Sequence, residues 1–100
     1  MASYDIYLDA IFIAKLKKMD PIFKNWVKKM LKQLMENPFL GKPLGSHWFR
    51  EKKFEKFRMY YFIHENRCLV YFFNISEKKD QQKVINAARL FATQFNSYIR

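Results

Sequence analysis

The sequence predicts an α+β fold, a small and mainly antiparallel four-stranded sheet packed by an N-terminal helical hairpin, in the order β-α-α-β-β-β-α. Three observations predict it. From His47 to Ile75 the chain is dominated by aromatic and β-branched residues with short polar breaks, the pattern of consecutive strands. Before it, two apolar stripes recur at helical spacing, separated by the helix-start signal Asp20-Pro21. After Ile75, Val84, Ala88, Phe91 and Phe95 recur at intervals of three or four and predict a last helix.

Taken in order, Tyr4, Ile6 and Leu8 alternate with Asp5 and Tyr7, as in a strand with one buried face. Asp9 stands at an N-cap, and Phe12, Leu16 and Met19 form the stripe of a short helix whose other face carries Lys15, Lys17 and Lys18. Asp20 can accept an orphan amide, and Pro21 needs no donor at the first helical position, so a second helix starts there. It presents Ile22, Phe23, Trp26, Val27, Met30, Leu31 and Leu34 until Asn37-Pro38 ends it. Pro38, Gly41, Pro43 and Gly45 break all periodicity and read as a connection into the sheet. Along the central strand, Phe57, Met59, Tyr61 and Ile63 share one face, and Arg58, Tyr60, Phe62 and His64 the other. The first set is expected against the helices. The second, with Arg50 and Lys52 on the preceding strand, is expected on a basic, aromatic-edged open face. Glu65-Asn66 suits a tight turn, whereas the turn near Phe54-Glu55-Lys56 lacks a glycine.

Composition narrows the partners. The chain has 100 residues, half of them apolar, enough for one domain spanning 1–100 with a modest core. Nineteen basic residues against nine acidic give a formal charge of +10, which points to nucleic acid, an acidic protein or an anionic membrane. Cys68 is the only cysteine, so an intrachain disulfide and a cysteine-based zinc cluster are excluded. The N-terminus lacks a charged region followed by an unbroken apolar segment, and the run from Cys68 to Ile75 is too short to span a bilayer. A cytoplasmic protein is the expectation.

The segment Leu34-Met35-Glu36-Asn37-Pro38-Phe39-Leu40-Gly41-Lys42-Pro43-Leu44 resembles the "ENP…GKPL" helix-exit loop of the RelE/ParE superfamily of toxins. Phe57-Arg58-Met59-Tyr60-Tyr61 is similar to that family's "YRxxY" third strand, and the strand running into Ser76-Glu77-Lys78-Lys79-Asp80 to its strand with a basic turn. The resemblance extends to about Gln82. It implies the toxin of a toxin–antitoxin pair, of the RelE branch, that cuts mRNA in the ribosomal A site by attack of a ribose 2′-oxygen on the adjacent phosphate. No metal or cofactor is required by that chemistry. It implies Arg58 as the group holding the scissile phosphate, because guanidinium is a planar and permanently charged fork. Lys52, Lys53 and Lys56 correspond to basic residues that supply base or charge stabilisation, and Lys78 and Lys79 to the basic position that supports the leaving group. Lys42, Arg50 and Tyr60 complete the set as RNA-binding residues. The implied partners are an acidic antitoxin, mRNA and ribosomal RNA.

The departures carry information too. The segment from Arg50 to Arg58 is one residue longer than in many relatives, and Val84 stands near the place where some members carry a tyrosine that stacks on an mRNA base. Tyr60 is the substitute that the predicted open face offers. The long last helix has three available roles: shielding the sheet, binding the antitoxin or mediating self-association. Two other functions remain open on the same fold, a ParE-like inhibitor of DNA gyrase and an inactive member that only binds an antitoxin. Residue by residue, plainer readings compete. Arg58 fits a cross-strand pair with Glu51 or Glu55, and the lysines of 52–56 fit solvated edge positions that resist aggregation. His47 and His64 lack the neighbouring Cys or Asp that would make either a catalytic base or a metal ligand. Trp26, Met30, Met35 and Cys68 fit the core or helix interfaces.

Overall fold

The computed structural model describes residues 3–99, with side chains described as far as Ala92. Both helix starts follow from local chemistry. Asp9 Oδ2 accepts the amide of Ile11 at 2.9 Å and opens α1, Ala10–Lys17; Asp20 Oδ1 accepts the amide of Phe23 at 2.9 Å and opens α2, Pro21–Glu36. Asn37 leaves the helix, and its Oδ1 takes the amide of Phe39 at 3.1 Å to cap a single 3₁₀ turn, Pro38–Leu40.

The strands are β1 (Asp5–Leu8), β2 (Lys42–Ser46), β3 (Phe49–Phe54), β4 (Phe57–His64) and β5 (Leu69–Glu77). They form one sheet in the order β1-β5-β4-β3-β2, antiparallel except for β1, which lies parallel to β5 with Asp5 opposite Leu69 and Leu8 opposite Phe72. The sheet therefore has five strands rather than four. The additional strand, β2, arises from the segment expected to be a plain connection. Pro43 is tolerated because β2 is an edge strand, where a missing amide breaks no interior ladder.

The loop before β2 is tied down from the sheet. Tyr61 donates its hydroxyl hydrogen to Pro38 O at 2.7 Å and accepts the Gly41 amide at 3.1 Å. Arg50 donates to Phe39 O at 2.9 Å, to Gly41 O at 2.8 Å and to His47 O at 2.6 Å. A Cβ on Gly41 would collide with the Tyr61 hydroxyl and approach Glu51 O within 2.7 Å, so the backbone passes where only glycine fits.

The helical hairpin covers one face of the sheet. Phe12, Phe23, Val27 and Leu34 pack there against Met59, Tyr61, Ile63 and Ile75, as the alternation along β4 predicts. The other face is not open. Helix α3, Gln81–Ile99, lays Val84, Ala88 and Ala92 on Phe49, Tyr60 and Phe62, so β4 is buried on both sides. Alanine at two of those positions lets the helix come close to the rings. The fourth residue of the predicted stripe, Phe95, falls outside the described side chains. A bulge at Phe73 in β5, where Tyr60 faces Asn74 but Tyr61 faces Phe72, brings Phe73 into a stack on Phe62 at 4.4 Å.

The tight turns use unusual backbone instead of glycine. Between β3 and β4, Glu55 takes φ 55°, and between β4 and β5 a 3₁₀ turn, Glu65–Arg67, closes on Cys68 at φ 49°. That second connection is longer than the two-residue turn expected at Glu65-Asn66. No helix among the described residues is long and apolar enough to cross a membrane.

Candidate active-site cleft

Strand register decides which polar side chains meet. Lys53 lies opposite Arg58, Glu51 opposite Tyr60, and Lys42 of β2 opposite Glu51. In an antiparallel ladder these partners share a face, here the face that α3 covers. Beyond the N-terminal end of α3 the sheet is exposed, and Leu40, Lys42, Glu51, Lys52, Lys53, Arg58 and Lys78 line a cleft of about 350 Å³. Its charged groups are Arg58 and four lysines against one carboxylate, so it favours an anion.

Arg58 sits at the cleft floor and is 9 % exposed. Its Nη1 donates to Glu55 O at 2.9 Å and to Phe57 O at 3.0 Å, which fixes the guanidinium against the glycine-free turn. Its Nε lies 3.7 Å from Glu51 Oε2, close enough for charge attraction and too long for a hydrogen bond. That buried Nε has no hydrogen-bond partner among the described residues. A buried donor without a hydrogen bond is costly, and the attraction of the Glu51 carboxylate offsets part of that cost.

Glu51 is held from its other side. Gln81 Nε2 donates to Glu51 Oε1 at 2.7 Å, and Lys78 Nζ donates to Gln81 Oε1 at 3.1 Å. A polar chain, Lys78–Gln81–Glu51–Arg58, thus runs from the turn before α3 to the turn between β3 and β4. Pairing a buried carboxylate with a buried guanidinium offsets the desolvation of both, and removing either partner would leave the other uncompensated.

No protein-family model and no curated protein matches the sequence. Solved structures do match. A mutant of the E. coli toxin RelE in the free state aligns with a TM-score of 0.74 at 16 % identity, over 87 % of this chain and 96 % of that one. The toxin–antitoxin complex RelBE2 from Mycobacterium tuberculosis aligns at 0.65 and 21 % identity, over 77 % and 93 %. The intact E. coli RelBE toxin–antitoxin complex aligns at 0.67 and 18 % identity, over 75 % and 96 %. The chain has a RelE-like toxin fold.

On this RelE-like fold the expected site residues divide into two groups. Arg58, Lys52, Lys53, Lys78 and Lys42 gather at the cleft. Lys56 turns away from it, 3.7 Å from Glu77 and with its ammonium over the Phe57 ring. Lys79 is exposed and does not line the cleft. Arg50 pairs with Tyr61 and so faces the hairpin side, opposite Arg58, and its guanidinium is committed to the three carbonyls of the loop and rests over Phe39 at 5.0 Å. Placing Arg50 on the same face as Arg58 is corrected by that register: residues 50 and 58 differ by an even number, but the two-residue turn between the strands reverses the parity. Lys52, opposite Met59, shares the parity of Arg50 and yet lines the cleft. Tyr60 is fully buried beneath α3, its hydroxyl 2.8 Å from Ser76 Oγ, and has no ring face open for a base. Val84 is likewise packed under α3.

Gln81, which holds the cleft residue Glu51, is not visible from the sequence, and Glu51 is visible there only as a cross-strand partner for Arg58. The two are 30 positions apart, and only the docking of α3 brings them together. The available signal for Glu51 was its alternation with Arg50 and Lys52, which places an acid on the buried side of a basic strand.

Proposed function

We propose that this chain is the toxin of a toxin–antitoxin pair and a ribosome-dependent mRNA endonuclease, acting in the cytoplasm on a strand laid in the Arg58 cleft. The observation that supports the reading is a cleft lined by Arg58 together with Lys42, Lys52, Lys53 and Lys78. A scissile phosphate entering there would meet the Arg58 guanidinium and the lysine ammonium groups on several sides. As the 2′-oxygen attacks, negative charge grows on the phosphorane, and preorganised donors aimed at that charge stabilise it more than the ground state. In this reading Lys52 or Lys53 takes the 2′-hydroxyl proton as a neutral amine or stabilises the charge as an ammonium, and Lys78 gives a proton to the departing 5′-oxygen. The 2′-hydroxyl proton passes to a neutral side-chain amine and the 5′-oxygen receives one from an ammonium, while the attacking and leaving groups both belong to the RNA.

The implied partner in the cell is a short acidic antitoxin whose amphipathic helix covers apolar surface and masks the cations. The contact between Arg58 and Glu51 favours a second reading, an inactive member that only binds its antitoxin, because a carboxylate already stands where a phosphate would.

The deciding experiment adds the purified chain to ribosomes programmed with a defined mRNA and maps cuts by primer extension. Cuts that require ribosomes, and a rate reduced about 100-fold or more by Arg58→Ala, are the expected result. Intact mRNA with the wild-type chain would overturn the endonuclease reading, and inhibition of gyrase supercoiling by the same preparation would replace it with the ParE-like one.

A further inference from the structure

Glu51 is the one carboxylate that lines the cleft, and it is 4 % exposed. It shares the cleft with Arg58 and Lys78, yet among the described residues neither cation holds it by a hydrogen bond. Arg58 Nε stops 3.7 Å from Glu51 Oε2, and Lys78 Nζ ends on Gln81 Oε1 at 3.1 Å. The hydrogen bond that the carboxylate does take comes from a neutral group, Gln81 Nε2, at 2.7 Å to Oε1. A guanidinium and a carboxylate left to themselves close to about 2.7–2.9 Å, often with two bonds side by side. The direction of the Gln81 amide is fixed from both ends. An ammonium only donates and an ionised carboxylate only accepts, so Oε1 faces Lys78 and Nε2 faces Glu51. Gln81 is the first residue of α3, and the packing of Val84 and Ala88 on Tyr60 and Phe62 sets where that first turn lies.

We propose that Gln81 is a positioning residue for the cleft: its amide holds the carboxylate of Glu51 away from Arg58 and Lys78 and so leaves both cations for a substrate phosphate. The consequence for cutting rests on the endonuclease reading above. Without the amide, Glu51 Oε1 would lose its donor in a buried place, which is costly, and the charged groups beside it are the replacement donors. Closing the 3.7 Å gap to Arg58 Nε takes a side-chain movement of only about 1 Å. Arg58 Nη1 is already committed to Glu55 O and Phe57 O, so closure at Nε would take a second edge of the guanidinium from any anion. A neutral amide suits the task better than a charge. A carboxylate at 81 would repel Glu51 toward Arg58, and an ammonium there would repel Lys78. The carboxylate that favours an inactive member is thus compatible with cutting, because Gln81 restrains it.

The test follows the Arg58 Nε–H signal of the full chain by proton–nitrogen NMR, with inorganic phosphate as the probe. In the wild type, phosphate should move that signal downfield as Nε–H gains an acceptor. Gln81→Met keeps the length of the side chain and removes the amide. Its Arg58 signal should lie downfield before phosphate is added, and the phosphate concentration for half the remaining shift should rise about tenfold, since the anion must displace a charged hydrogen bond. Cutting of ribosome-bound mRNA should slow by a similar factor. In a Glu51→Gln background, where the competing charge is gone, adding Gln81→Met should change either quantity by less than about twofold. Gln81→Ala should match Gln81→Met, because only the amide matters. An Arg58 signal that Gln81→Met leaves in place overturns the proposal, as does a wild-type signal that ignores phosphate. An equal loss in the Glu51→Gln background overturns it too, and so does a loss that tracks the Val84 and Ala88 amide signals instead of Arg58, which would make Gln81 a brace for α3. If the signals behave as expected while the wild type leaves mRNA intact, the endonuclease reading fails and the restraint on Glu51 stands.

Discussion

Tyr60 and Tyr61 are neighbours in β4, both fully buried, and they show what separates the two faces of the sheet. Tyr61 points to the hairpin side, where its hydroxyl is fixed by Pro38 and Gly41 and its ring packs on Phe72 at 5.0 Å. Tyr60 points to the α3 side. The Ser76 hydroxyl donates to Glu77 O at 3.0 Å, so Tyr60 is the donor to Ser76 Oγ, and its ring lies under a helix that, among the described side chains, buries a valine and two alanines there with Ile85 at their margin. One face is a broad aromatic core with its polar groups tied to backbone. The other is a thinner layer that ends in charged side chains, and the cleft opens where that layer stops. The charged cleft lies where packing is sparse, because it cannot be built over the thick core without stranding buried groups.

The largest expected effect tests that asymmetry directly. Phe23 is buried among Trp26, Phe54 and Phe57 rings at 5.4 to 6.0 Å, so Phe23→Ala should cost about 3–5 kcal/mol. Val84→Ala on the α3 face removes two methyl groups at the margin of a smaller cluster and should cost about 1–2 kcal/mol. Urea unfolding monitored by tryptophan fluorescence checks both, the midpoint shifting at constant m. Equal losses at the two sites would show that the α3 layer is as much a part of the core as the hairpin.

A smaller difference separates the tyrosines themselves. Burial pushes the Tyr61 hydroxyl up from 10.0 to about 12, against the lowering effects of the Gly41 amide and the Arg50 charge. Because the folded value lies above the unfolded one, its contribution is fully present below pH 10 and is lost as pH rises to about 12. Tyr61→Phe strands the Gly41 amide and the Pro38 carbonyl and should cost about 2 kcal/mol at neutral pH. It should also flatten the decline in stability between pH 10 and 12 relative to the wild type. Urea midpoints across that range provide the check. An unchanged alkaline slope in Tyr61→Phe would show that the hydroxyl is not kept from solvent as described.

The sequence made the hairpin side legible and the α3 side only half so, for a physical reason. Phe12, Phe23, Val27 and Leu34 face a single partner layer, and a stripe facing one layer leaves a clean period. Both Asp caps were equally visible, because capping is local. The alternation along β4 also gave the correct two sets of residues. It could not say that the second set is covered, since that depends on where a helix starting 17 residues after β4 returns. Edge strand β2 was hidden behind the prolines and glycines in and before it, as its pairing is enforced by Tyr61 and Arg50 from elsewhere in the chain. Of the residues that the RelE resemblance implied, Arg58, Lys52, Lys53, Lys78 and Lys42 line one cleft. Arg50 was put on the wrong face because parity was carried through a turn of unresolved length.

That turn supplies the smallest and most local prediction. Glu55 sits at φ 55°, a conformation that disfavours a side chain, and two carbonyls of the hairpin, Glu55 O and Phe57 O, accept hydrogen bonds from Arg58 Nη1. Glycine at 55 would remove the Cβ strain, at the cost of a more flexible unfolded chain, so Glu55→Gly should stabilise by about 0.5–1 kcal/mol. The gain should shrink in an Arg58→Ala background, because the guanidinium then no longer fixes the turn that glycine is meant to fit. A double-mutant cycle from urea midpoints measures the difference. Strict additivity would mean that Arg58 does not brace the turn and that its orientation is set by Glu51 alone, which would move the origin of the cleft's geometry from the hairpin to the polar chain reaching α3.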